Sequence, residues 1–476
     1  MADADERRRV IERVRERVTP DETERAAMRD AAATLIDRTE AELAALSVDA
    51  DVVQVGSTAR GTWLAGDRDI DLFVRFPPDL DRETLERYGL EIGNAVLPAG
   101  HEEYAEHPYV KGTFAGFDVD LVPCYDVDEG RDLRSAVDRT PHHNAYLRER
   151  IDDDLAGEAR VCKQFLKGIG AYGSDLRTRG FSGYLTELLV FEYDGFEPLL
   201  RAAADWRPPV VLDPEDHGTE SHDDPLVVVD PTDPSRNVAA VCSAENVARL
   251  QHYAREFLAA PRDELFEPRE PTPLAPDAMR AHLDRRGTTP VAVVFDAPDV
   301  VDDQLYPQLE KSLSGVRSEL ARRGFEPLRA TAFADERAVL FVELAHRRLP
   351  AIERHEGPPV HVRTHAEEFY ETYADRREKG ANAVTGEDEV EPEPDDDSDS
   401  AVYGPFIDGE RFVVERDREF TDAASLLRSS ELFTVGLGAR VEDELEDGYD
   451  VLVGDDVAAL CDEFGAELAR YFEPRP

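Results

Sequence analysis

Residues 56–76 read GSTARGTWLAGDRDIDLFVRF, and this run limits the possible folds more than any other. Ile70–Val74 has the composition and spacing of a strand. Asp69 and Asp71, two residues apart, therefore project from one face. Two adjacent carboxylates repel each other, and a hard divalent cation with its preference for oxygen ligands relieves that repulsion. Just upstream, Gly56-Ser57 can turn tightly and offer backbone N–H groups and a hydroxyl to a phosphate. A turn of this kind at a fixed distance before an Asp-x-Asp pair predicts a site where a metal and a nucleotide meet.

A third carboxylate is within reach. Phe117–Pro123 alternates as a half-buried strand, with Asp118 and Asp120 on one face and Phe117, Val119 and Leu121 on the other. If this strand neighbours the first, either aspartate can complete a two-metal site for in-line phosphoryl transfer.

Composition sets the solvent rather than the chemistry. The 476 residues include 104 acidic and 55 basic side chains, a formal charge of −49, and 41% are hydrophobic. That apolar content, in periodic runs, argues against a disordered acidic chain. Acid spread over every segment, with arginine in place of lysine, reads instead as a folded protein of a salt-rich cytoplasm. The acidity would ordinarily oppose a nucleic-acid partner. At about 1 M salt, however, the Debye length is roughly 3 Å and distant repulsion is screened. Lysine occurs only at 111, 163, 167, 311 and 379. Two of the five, Lys163 and Lys167, share one helix face in CKQFLK, where a compact ammonium suits a phosphate. Cys124, Cys162, Cys242 and Cys461 show no paired spacing and read as reduced. No run of 18 apolar residues occurs, so no membrane span is expected.

Several stretches in order resemble one family. The head run is similar to the signature of the nucleotidyltransferase superfamily that includes DNA polymerase beta. VDLVPCY from Val119, SAVDRTPHHNAYL from Ser135, CKQFLKGIGAYG from Cys162, RGFSGYLTELLV from Arg179 and VVDPTDPSRNVAA from Val228 resemble the archaeal, class I CCA-adding enzymes. This resemblance implies that Asp69, Asp71 and Asp120 hold Mg²⁺, with Asp120 rather than Asp118 as the third ligand. Asp69 stands where many members carry glutamate. It also implies nucleotide contacts from Gly56, Ser57, Arg60, Thr140, His143, Lys163 and Tyr172, with Arg236 reading the base. The substrates would be CTP, ATP and a tRNA 3′ end, and the enzyme a cytoplasmic homodimer. Two other readings stay open: a poly(A) polymerase sharing the head, and a non-catalytic RNA-binding protein of the same fold.

The expected fold class is α+β and multidomain. Helices from Glu6 to Leu46, broken at Pro20, precede a catalytic head, giving a unit over residues 1–139. A largely helical central domain follows over 140–262, including a helix from Ser243 to about Ala259. Pro290–Phe295, Leu305–Arg323, Leu328–Phe333 and Val339–Leu344 read strand, helix, strand, strand, a ferredoxin-like tail over 289–345. The remainder, 263–288 and 346–476, forms a body carrying an acidic low-complexity insertion at Gly380–Ser400, expected to be disordered.

Overall fold

A computed structural model describes residues 2–104, 106–127, 133–384 and 401–476. Most of the acidic stretch Gly380–Ser400 lies outside them. The described chain separates into two compact units, residues 1–270 and 271–475.

The first unit opens with α1 (Ala2–Val18) and α2 (Glu22–Leu43). Pro20 lies between them, and Asp21 caps α2 in a reciprocal box with Glu24. Five strands then make one sheet: β1 (Asp51–Val55), β2 (Asp69–Phe76), β3 (His101–Tyr104), β4 (Pro108–Phe114) and β5 (Phe117–Tyr125). The short helix α3 (Gly56–Arg60) joins β1 to β2, and α4 (Arg82–Val96) follows β2. The spatial order is β1-β2-β5-β4-β3, with β2 and β5 parallel at the centre. Toward its C-terminal end β5 is buried without interruption and β2 is buried except at Arg75, as strands covered on two faces are. Their N-terminal ends alternate, and there the aspartates stand.

The rest of this unit is mainly helical. It comprises α5 (Arg139–Arg148), α6 (Asp153–Gly168), α7 (Gly183–Glu192), α8 (Phe196–Asp205) and α9 (Ala244–Ala259). A small sheet of β6 (Val210–Leu212), β7 (Leu226–Asp230) and β8 (Asp233–Asn237) is inserted before α9. Ser182 and Ser243 cap α7 and α9 by accepting from the backbone N–H of Leu185 and Asn246. Phe165, Phe196, Phe257 and Phe266 pack mutually, with ring centroids 5.3–6.0 Å apart, and lock α6, α8 and α9 together. Complete burial of one such ring contributes about 1.5–3 kcal/mol, so this four-ring knot anchors the framework that carries the site.

The second unit opens with an unexpected helix, α10 (Pro276–Arg286), and then β9 (Thr289–Asp296), α11 (Asp302–Arg322), β10 (Pro327–Ala334) and β11 (Arg337–Leu344) follow the expected strand, helix, strand, strand order. They precede β12 (Ile352–Pro359), α12 (Arg363–Val384), β13 (Ala401–Asp408), β14 (Arg411–Asp417), α13 (Ala423–Leu427), α14 (Ala439–Asp447), β15 (Asp450–Val453) and α15 (Cys461–Phe472). The sheet β10-β11-β9-β15 is antiparallel throughout and takes its fourth strand from far along the chain. The sheet expected within 289–345 thus draws a strand from beyond that range. Strand β9 is buried on both faces and needs a partner on each edge, which a four-residue strand met much later supplies. All four cysteines are buried and unpaired. No helix of the described residues is long and apolar enough to cross a membrane.

Candidate active site

Strands β2 and β5 are in register so that Asp69 lies opposite Asp118 and Asp71 opposite Asp120. The aspartates expected to act together therefore share one face of two adjacent strands. Burial is the largest influence on Asp71, whose carboxyl is pushed up to about 6, and the charges of Asp120 and Asp69 act in the same direction. Asp69 is raised by burial and by Asp67 and Asp118. Asp120 is raised by burial, partly offset by Lys111, whose Nζ lies 3.6 Å from Oδ1. That buried oxygen has no hydrogen-bond partner closer than this ammonium.

Among the described residues, no three or more His, Cys, Asp or Glu side chains are grouped so as to hold a metal ion by themselves. An open row is what a Mg²⁺-type ion uses, because it takes one or two carboxylates and fills its remaining positions with water and substrate phosphate. The all-oxygen donor set and the crowding of negative charge around Asp71 fit a divalent ion.

The turn ahead of the row is tied to it. Gly56 has φ +77°, and a Cβ there would stand 2.0 Å from Oδ2 of Asp71. Only glycine lets the carboxylate rest against the first residue of α3. Ser57 follows at the start of this helix, and Gly61 closes it in the left-handed conformation.

Arg60 and Lys163 are turned toward protein groups. Arg60 Nε donates to Oε2 of Glu187 at 2.6 Å and its Nη1 to Asn144 at 2.9 Å. Lys163 Nζ donates to Oε1 of Glu187 at 2.6 Å and to the carbonyl and hydroxyl oxygens of Thr62 at 3.1 and 3.2 Å. All three charged side chains are buried, Glu187 completely. Although burial opposes ionisation, the two cations hold Glu187 down at about 2, while burial lowers Lys163. Two cations and one anion leave one net positive charge beneath the turn. With three acceptors already on Nζ, Lys163 braces Thr62 and does not reach out of the wall.

A second cluster centres on Asp230 at the end of β7. Its Oδ2 accepts from His143 Nε2 at 2.7 Å and from Arg236 Nη1 at 2.8 Å, and Arg139 stands 4.0 Å away. Its Oδ1 accepts from the backbone and hydroxyl of Thr232. Asp230 stays far below the usual carboxylate range because these hydrogen bonds outweigh its burial, while burial lowers His143. His143 also stacks on Tyr184, with centroids 3.9 Å apart and planes 10° apart. Arg236 keeps about a third of its side chain exposed. Thr140 is half-buried in the first turn of α5, and Tyr172 is half-buried with the ammonium of Lys167 5.4 Å from its ring centroid.

Glu187, Asp230, Asn144 and Lys111 escaped the sequence reading. Two of them left a signal. Glu187 interrupts the apolar run Tyr184–Phe191, where a buried carboxylate requires a partner. Asp230 opens DPTDPSRN, the stretch that carries Arg236.

A strand-borne row of aspartates set against a tight turn is the arrangement of a nucleotidyltransferase head, and the profile of the nucleotidyltransferase domain matches residues 36–143. Those of the second domain of tRNA nucleotidyltransferase and of the C-terminal domain of the CCA-adding enzyme match residues 157–267 and 286–454. The CCA-adding enzyme of Halobacterium salinarum is 61% identical over 98% of both chains. That of Haloarcula marismortui is 56% identical over 99% of this chain and 100% of its own, and that of Methanoregula boonei 42% identical over 88% and 87%. The chain belongs to the CCA-adding enzyme family.

Proposed function

We propose that Asp69, Asp71 and Asp120 carry the family's reaction here, the addition and repair of the 3′-terminal CCA of tRNA by nucleotidyl transfer from CTP and ATP. The observation that bears most weight is the register of Asp71 with Asp120 on parallel strands, with Asp69 one step along the same face. The family generally uses divalent metal ions, and we assign Mg²⁺ to these three side chains. Bound there, the ion would supply positive charge to the triphosphate and acidify the attacking hydroxyl.

The chain's own groups do the rest. Asp120, whose pKa is raised by burial and whose Oδ1 has only the Lys111 ammonium beside it, accepts the proton of the RNA 3′-hydroxyl as its oxygen attacks the α-phosphate and pyrophosphate leaves. Gly56 and Ser57 orient the phosphates from the N-terminal turn of α3, and Thr140, His143 and Tyr172 border them from the following segment. Arg60 and Lys163 add their net charge from beneath while fixing the position of Thr62. Arg236, steadied by Asp230, reads the base with the growing RNA end. A cytoplasmic homodimer belongs to the same proposal and rests on family resemblance alone.

The test uses tRNA ending at the discriminator base, high KCl, Mg²⁺ and one labelled nucleotide at a time. Two C additions followed by one A are expected. A long A tail would replace this reading with a poly(A) polymerase. Asp71→Ala should abolish incorporation while tRNA affinity stays within about twofold, and activity within tenfold of wild type would remove Asp71 from the reaction.

A further inference from the structure

Behind the same turn lies a cavity of about 350 Å³ bordered by α2, α3 and α6. Its wall includes Arg25, Arg29 and Arg160 against a single acid, Asp153, together with Thr58 and Trp63. In a chain with 104 acidic and 55 basic residues, a lining with three arginines to one aspartate runs against the overall composition.

Arg160 makes the point sharper. It is 6% exposed, and among the described residues it forms no ion pair; Asp153, the one acid of the cavity wall, acts on it only through its charge. One guanidinium nitrogen donates to the carbonyl of Gly61, while Nε is buried with no hydrogen-bond partner. Burial, then the neighbouring Arg25 and Arg15, pull its pKa down to about 10, against the smaller opposing charge of Asp153. Arg25, among the described residues, likewise hydrogen-bonds through its side chain only to the backbone, at the carbonyl of Pro20 3.0 Å away. By contrast Arg15 and Arg29 have glutamates, Glu158 and Glu22. A buried guanidinium left with an unsatisfied donor is costly unless an anion completes it. Planar forked donors match a tetrahedral oxyanion best.

We propose that this cavity is a second phosphate site, separate from the nucleotide turn, which takes a phosphate group through Arg25, Arg29 and Arg160. The group is either free inorganic phosphate or a backbone phosphate of RNA. Because Arg160 also holds the carbonyl of Gly61, occupancy bears on the residue that closes α3, and the two phosphate sites share one short helix between them.

The experiment titrates inorganic phosphate, and separately a single-stranded RNA oligonucleotide, into the full chain in high salt with CTP and Mg²⁺ already saturating the nucleotide turn. Arg25→Gln/Arg29→Gln alters half-exposed and exposed side chains and should leave the fold intact. It should weaken phosphate binding by tenfold or more. Arg8→Gln/Arg9→Gln, which removes equal charge from exposed positions of α1, should change it less than twofold. A parallel tenfold loss for RNA identifies a backbone phosphate, and an unchanged RNA affinity identifies the free anion. If neither affinity falls in Arg25→Gln/Arg29→Gln, or both fall equally in the α1 pair, the site is overturned and Arg160 is only a brace for Gly61.

Discussion

Gly56→Ala is the sharpest probe of the link between turn and carboxylate row. The new Cβ would stand 2.0 Å from Oδ2 of Asp71, and ordinary contact begins near 3.4 Å, so the carboxylate must retreat by about 1 Å or more. A displacement of that size in a reacting constellation costs about 10²-fold in rate. The positive φ adds strain of about 1–2 kcal/mol on any L side chain. Gly61→Ala separates the two effects, since Gly61 has φ +71° and a Cβ there would meet nothing within 4 Å. Both variants should therefore lose about 1–2 kcal/mol in urea denaturation. Only Gly56→Ala should lose about two orders of magnitude in kcat for C addition under saturating CTP. Equal losses of kcat in the two variants would show that backbone strain, not the collision with Asp71, governs the site.

Three further outcomes follow from the clusters around it. Glu187→Gln strands two buried cations and should cost about 3–5 kcal/mol by denaturation, with Glu187→Gln/Lys163→Met regaining much of the loss; a single-variant cost under about 1 kcal/mol would contradict the ion cluster. Asp71 has a folded pKa of about 6 against an ordinary 3.8, so without divalent ions its contribution to stability falls as pH rises between those values and is flat above. Asp71→Asn should then be more stable than wild type at pH 7 in EDTA and equal to it below pH 4, and saturating Mg²⁺ should narrow the gap; equal stability at pH 7 in EDTA would refute the crowding. Asp230→Asn removes the anion shared by His143 and Arg236 and should raise misincorporation of UTP about tenfold, a 1.4 kcal/mol loss of discrimination, with little effect on tRNA affinity.

The features legible in the sequence were those written in local periods. Asp69 and Asp71 on one face, the alternating strand holding Asp120, the break at Pro20 and the Ser243 cap each rest on spacings of two to four residues. Pairing of β2 with β5 was stated only as a condition, because parallel register depends on the crossover through α4 and not on either strand alone. The buried partners were harder. Nothing near Lys163 announces that its ammonium meets Glu187, 24 residues on, or that Asp230 gathers His143 from 87 residues back. A cation read as facing a ligand and one folded onto a carboxylate look alike in sequence, and only tertiary distance separates them. Residues 345–476 were least legible, since β15 is four residues long and pairs with β9 across 156 to 162 positions, from Asp450↔Val294 to Val453↔Val291.

That last pairing has a consequence for synthesis. While the ribosome is still translating the intervening chain, β9 has β11 on one side and an open edge on the other. Its Val291, Val293 and Phe295 belong to a core that β15 completes with Val451 and Val453. A chain halted or clipped before Asp450 would therefore present an unpaired, apolar strand edge, a template for aggregation between nascent chains. Concentrated salt, which strengthens apolar association, would make that interval more hazardous. The second unit should accordingly depend on prompt completion of the segment from Asp450 onward more than on the strength of any bond within it.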